Sequence, residues 1–141
     1  MAITLSTWSF EAASRLLGVG VDAEKVQRFE SLGKPGDPAL PLVFSKKEAL
    51  HNQNLECPAI GFCMCFCCKE AFFKALGEPY DFTECEVFPE PQKRHTFSPL
   101  EITIGKDLQA HHHIDRAVCF FDENGVDDEE MVAVVYLFGN R

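Results

Sequence analysis

The sequence predicts an α+β domain, and three observations carry that expectation. A glycine-bearing alternating segment near the start is followed by three helical patterns, the longest of these (59–76) is apolar on almost every side, and nearly everything beyond Gly77 reads as strands. No repeat, linker or low-complexity tract interrupts the 141 residues, a length at which one domain buries roughly two-thirds of the surface its unfolded chain exposes.

Residues 8–16 have the spacing of a short amphipathic helix. Residues 17–22 (LGVGVD) then alternate strictly, which predicts a strand with Leu17, Val19 and Val21 toward a core and Gly18, Gly20 and Asp22 on the other face. Two glycines beside a terminal Asp let another backbone or a ligand come close. Residues 23–32 place Val26, Phe29 and Leu32 on one helical stripe, ended by Gly33, Pro35, Gly36 and Pro38. Ser45 and Glu48 have capping-box spacing, so a further helix should start near Lys46 and stop before Pro58. The helix over 59–76 ends at Gly77 and Pro79, and its apolar character puts it in the core. After it come strands over 84–88 and 100–104, a helix over 106–112, and strands over 117–121 and 131–138, the last two joined through an Asn124-Gly125 turn signal.

Composition narrows the function. A formal net charge of −9 argues against a nucleic-acid binder, since phosphates need clustered Lys and Arg. The excess is uneven: residues 1–77 hold eight acidic and eight basic residues, and residues 78–141 hold fourteen acidic and five basic. An acidic partner should therefore dock on the first part. The charged-then-apolar layout of a signal peptide is missing, no stretch is apolar enough to span a membrane, and seven cysteines, an odd number, suit free thiols in a reducing compartment; a cytoplasmic protein is expected.

Two carboxylates stand where their position needs a reason. Alone, Asp22 between a strand and a helix reads as an N-cap, and Glu70 four residues before Lys74 reads as half of a helical ion pair. Together they say more. At about 100° per residue, Cys63, Cys67, Glu70 and Lys74 share one stripe of the central helix, a polar face on a buried element. A carboxylate there needs a partner, and a hard divalent cation with oxygen ligands is an adequate one.

Two blocks resemble a known family. Gly18-Val19-Gly20-Val21-Asp22, followed by Arg28, is similar to the G-I-G-x-D opening of holo-acyl-carrier-protein synthases, and Lys69-Glu70-Ala71-Phe72-Phe73-Lys74-Ala75-Leu76-Gly77 is similar to their K-E-A-x-x-K-A-L-G block. Val43-Phe44-Ser45 with Glu48, and residues 84–87, resemble weaker family segments in the same order. The chain is thus identified as a divergent member of the 4'-phosphopantetheinyl transferase superfamily. The resemblance implies a single domain over 17–141 after an N-terminal extension over 1–16, with an antiparallel sheet packed on a long central helix. It implies Mg²⁺-dependent transfer of the 4'-phosphopantetheine arm of coenzyme A to a serine of an acyl carrier protein, as in fatty acid biosynthesis. Asp22 and Glu70 match the metal ligands, Glu70 and Lys74 the catalytic groups, Lys74 and Lys69 a coenzyme A-binding pair, and Arg28 with Lys25 a carrier-docking surface. A homotrimer is also implied.

Three positions depart from the pattern: Cys65 stands where the family has an Arg at the coenzyme A site, Glu78-Pro79 replaces a Thr-Gly pair, and 118–122 lacks a Ser-x-Ser-His. An inactive paralogue that binds a carrier protein is therefore a second reading. A third is a zinc or iron site built on Cys63, Cys67 and Glu70 together with Asp22 or a His. Cys65-x-x-Cys68 matches a redox spacing, but on a buried helix free Cys is expected to pack as a small hydrophobe. His111, His112 and His113 are expected at the surface.

Overall fold

The computed structural model describes residues 14–32, 36–93, 99–123 and 130–140. Strand β1 (Arg15–Lys25) leads through a 3₁₀ turn (Val26–Phe29) to three helices, α1 (Leu40–Val43), α2 (Lys46–Gln53) and α3 (Pro58–Leu76). Short strands β2 (Cys85–Glu86), β3 (Leu100–Glu101) and β4 (Thr103–Ile104) follow, then α4 (Lys106–His112) and the long pair β5 (Ile114–Glu123) and β6 (Glu130–Gly139). The main sheet runs β1-β6-β5-β3, antiparallel throughout, and β2 pairs with β4 separately. Helix α3 lies across one face of β1, β6 and β5, so the expected α+β architecture of an antiparallel sheet on a central helix is what forms.

Local chemistry explains the helices. Ser45 Oγ accepts the Glu48 backbone N–H at 3.1 Å while the Ser45 N–H donates to Glu48 Oε1 at 2.8 Å, a complete capping box that starts α2 at Lys46. Pro58 fills the first turn of α3, and Gly77 ends it in the left-handed region (φ 85°) with its N–H donating to the Phe73 carbonyl at 3.0 Å. Between them Phe62, Cys63, Cys65, Cys67, Cys68, Ala71 and Phe72 are wholly buried, and all seven cysteines are free thiols. Among the described residues no helix is long and apolar enough to cross a membrane.

The N-terminal part differs from expectation in three ways. Residues 8–13 of the predicted first helix lie outside the described residues, and Arg15 and Leu16 already pair with Gly139 and Phe138, so β1 begins inside the segment assigned to an extension. The strand also runs past Asp22 to Lys25, leaving only the 3₁₀ turn with Val26 and Phe29 buried where a longer helix was predicted. Finally, the faces of β1 are reversed. Gly20 and Asp22 are buried against α3, whereas Val19 and Val21 are about half exposed (47% and 50%). Only Leu17 joins the core, where a bulge between Leu16 and Gly18 shifts the register.

The glycines account for the reversal. A Cβ on Gly20 would lie 1.9 Å from the Ala71 carbonyl oxygen, and one on Gly18 2.3 Å from that of Ala75. With no side chain at either position, the backbone of β1 settles directly on α3. Further along, the Cys67 thiol donates to the Asp22 carbonyl at 3.1 Å and the Cys63 thiol approaches the Glu24 carbonyl at 3.8 Å. Each two-residue step along β1 therefore meets a four-residue step along α3. The two strides match, about 6.6 Å for the strand and 6.0 Å for the helix.

Candidate active site

This pairing of β1 and α3 sets the site. Asp22 lies in the interior of β1, not at its end, so it caps no helix, and its carboxyl group is brought to the Glu70–Lys74 stripe of α3. Asp22 Oδ1 accepts a hydrogen bond from Lys74 Nζ at 2.8 Å. Lys74 thus turns across to the strand, where a pairing with Glu70 along the helix was one expectation. The other oxygen, Asp22 Oδ2, is buried and receives no hydrogen bond among the described residues. A buried carboxylate oxygen without a donor is costly and is a ready ligand.

Glu70 is half-buried beside it. Burial pushes its carboxyl pKa up, the Asp22 charge pushes the same way, and Lys74 opposes them. The Lys74 ammonium is held above its ordinary value first by its hydrogen bond to Asp22, with the charges of Asp22 and Glu70 adding to it. Two carboxylates and one ammonium leave a negative surplus. The donors turned to the site are hard oxygens; Cys63 and Cys67 on the same stripe point their thiols at backbone carbonyls of β1, and in the metal-free chain burial raises the Cys63 thiol to about 12 and the Cys67 thiol as well. The orphaned Oδ2 and this donor set fit a hard divalent cation such as Mg²⁺. The zinc or iron thiolate reading is not favoured by the geometry: the Cys63 and Cys67 thiols turn to the Glu24 and Asp22 backbone carbonyls, and among the described residues Cys63, Cys67 and Glu70 do not form a group of ligand atoms close enough to share an ion.

Lys69 requires a correction. Its side chain is fully buried and donates to Glu48 Oε1 (2.7 Å), the Val43 carbonyl (2.8 Å) and the Phe82 carbonyl (2.8 Å), so it has no face to offer coenzyme A. Glu48 in turn accepts at Oε2 from the Val87 N–H and the Cys65 thiol. Cys65 therefore sits on the side of α3 turned away from Asp22, inside this network, and its raised pKa follows first from burial and then from the Glu48 charge. Cys68 is likewise buried with a raised pKa, which excludes a reactive Cys65–Cys68 pair.

Lys25 and Arg28 are exposed at the end of β1 and in the turn beyond it. Arg28 is ion-paired with Glu24, and its guanidinium lies 5.6 Å and 5.5 Å from the centres of the Phe29 and Phe66 rings. Arg28 and Glu24 also act on the Glu70 carboxyl, in opposite senses.

Of the three histidines, His111 and His113 are exposed, but His112 is buried, contrary to expectation. Its Nε2 lies 2.6 Å from the Tyr80 hydroxyl and 3.1 Å from Glu78 Oε1. Neither this cluster nor the Lys69–Glu48 pair was found by sequence reasoning. Their partners are far apart in the chain and share no spacing signal.

Residues 18–130 match the family described as the 4'-phosphopantetheinyl transferase superfamily. Among solved structures, the chain is similar to a holo-ACP synthase from Plasmodium yoelii (15% identity, 91% of this chain and 98% of that chain covered, TM-score 0.69). It is similar to the enzyme from Neisseria meningitidis at 19% identity, covering 87% of this chain and 98% of that one with a TM-score of 0.69. The Helicobacter pylori enzyme, solved in complex with coenzyme A, matches at 20% identity over 84% of this chain and 98% of that one, TM-score 0.63. No curated protein sequence matches the chain.

Proposed function

Since the chain belongs to the 4'-phosphopantetheinyl transferase superfamily, we propose that Asp22 and Glu70 hold Mg²⁺ at the site where it works on coenzyme A. The chain is a transferase of the holo-acyl-carrier-protein synthase type, moving the 4'-phosphopantetheine arm of coenzyme A to a serine of an acyl carrier protein. The single observation that carries the metal assignment is the buried, undonated Asp22 Oδ2 beside Glu70. When bound, the ion would neutralise charge on the pyrophosphate.

The chemistry is a phosphoryl transfer. The serine oxygen bonds to the phosphorus carrying the pantetheine arm, the bond from that phosphorus to the bridging oxygen breaks, and adenosine 3',5'-bisphosphate leaves as the serine proton passes to a base. Catalysis of this kind is mainly positioning and charge stabilisation. Lys74 suits the second of these, because Asp22 fixes its ammonium while its side chain remains 54% exposed and can face a phosphate. Glu70, beside Asp22 and Lys74 on the polar stripe of α3, is the residue proposed to accept the serine proton.

Carrier docking is assigned to exposed Arg28 and Lys25, in the part of the chain with no acidic excess. Free thiols support a reducing, cytoplasmic location, and fatty acid biosynthesis is the setting proposed for the carrier. A homotrimer is supported by the apolar outer face of the main sheet, on which Val19 and Val21 are exposed.

The test is to incubate the protein with coenzyme A, Mg²⁺ and apo carrier proteins and weigh the carriers by mass spectrometry. A phosphopantetheinyl adduct is expected, lost in Asp22→Ala and Glu70→Ala. No adduct on any of several carriers would overturn the reading.

A further inference from the structure

We infer that Glu78, His111 and His112 form a binding site for a zinc ion, independent of the Asp22–Glu70 pair. One ligand atom from each of the three lies within 4.8 Å of the others. Glu78 follows the Gly77 cap of α3, and the histidines occupy the last turn of α4, so the fold brings them together from two elements. Two imidazole nitrogens and a carboxylate oxygen are a zinc donor set that leaves a fourth position for water. Imidazole also favours zinc over magnesium or calcium, which separates this site from the all-oxygen one.

The donors are partly ordered already. Tyr80 donates its hydroxyl hydrogen to Glu78 Oε1 at 2.5 Å, and its oxygen lies 2.6 Å from His112 Nε2. With that one hydrogen committed to Glu78, the contact to His112 needs a hydrogen on Nε2, and a metal ion would replace it. The Tyr80 hydrogen bond, followed by the histidines, holds the Glu78 carboxyl below its usual pKa, keeping it anionic. His112 is fixed by burial and His111 packs edge-on to it at 4.9 Å, while Glu78 and His111 are exposed and free to close. Tetrahedral zinc needs donor separations of about 3.4 Å, so the closure required is at most about 1.4 Å. An open cleft of about 410 Å³, lined by Tyr80, Glu84, Asp107, Leu108 and His111, adjoins the cluster and adds two more acidic residues around an entering cation.

The experiment titrates zinc into chelator-treated full-length protein carrying Cys57→Ser, which removes the exposed thiol; the other six are buried. Calorimetry should give one zinc per chain, and imidazole ¹H–¹⁵N spectra should show the His111 and His112 nitrogens shifting with it. His111→Ala and Glu78→Gln, both at exposed positions, should each weaken binding about tenfold or more, and Asp22→Ala should leave it unchanged. Affinity within twofold of the parent in both His111→Ala and Glu78→Gln would overturn the site. So would loss of binding in Asp22→Ala or the absence of one-to-one binding.

Discussion

Ionising Glu70 places a second negative charge near that of Asp22 while burial removes part of its hydration, and both effects raise its pKa. A carboxyl whose folded pKa lies above its unfolded value contributes stability that is present below the unfolded pKa, here 4.5, and lost as pH rises through the folded pKa. At neutral pH the metal-free protein therefore carries Glu70 as a liability. Glu70→Gln should raise its melting temperature at pH 7, by a few degrees at most because the group is only half-buried, and the gain should vanish on acidification. Thermal scans across pH test this, and no pH dependence of the difference would count against it. Mg²⁺ should stabilise the parent at pH 7 and not the variant. Glu48 and Lys69 show the limit of local reading. Glu48 was legible as a cap through its spacing from Ser45, but its second role depends on Lys69 and Val87, which no spacing relates to it. That buried pair is held by several hydrogen bonds, and removing one partner would leave a charge stranded in the core.

At the scale of elements, the signals carried by short sequence windows were the legible ones. The Ser45 capping box, the Gly77 stop and the 106–112 helix are each specified within a few residues, and each forms as read. The facing of β1 was not legible, because alternation says which residues share a face but not which face is inside. Hydrophobicity assigned Val19 and Val21 to the core; the close contact of Gly18 and Gly20 with α3 decides the opposite. Asp22 is buried for the same reason, so the site was found from a correct alternation with an inverted face. Gly20→Ala tests this packing: a methyl group 1.9 Å from the Ala71 oxygen forces strand and helix apart, and a loss on the order of 2–4 kcal/mol is expected in denaturant unfolding. A change under about 0.5 kcal/mol would refute the close approach.

Across the whole molecule, the reversal leaves an apolar surface. Val19 and Val21 of β1 continue across the sheet to Val132, Val134 and Tyr136 of β6 and to Phe120 of β5, whose ring meets that of Tyr136 at 5.9 Å. Helix α3 covers the other face; on this one Val19 and Val21 are exposed, Phe120, Val132, Val134 and Tyr136 are half-buried, and Val118 beside Tyr136 is buried. A contiguous apolar sheet face of this kind marks an association surface. Light scattering on the eluting protein should give three times the chain mass of 15.8 kDa, and Val134→Glu should shift it to a single chain. A parent protein that elutes as a monomer would remove the trimer from the proposal.

The matched strides of β1 and α3 have a consequence for changes in chain length. Gly18, Gly20, Asp22 and Glu24 are indexed against Ala75, Ala71, Cys67 and Cys63. Deleting one residue between Gly20 and Asp22 would turn the aspartate to the outer face, and inserting one between Cys67 and Glu70 would swing the glutamate about 100° round the helix. Either lesion would erase the site while every functional side chain remained in the sequence. Within these two segments the protein can vary by replacing residues, but not by adding or removing them.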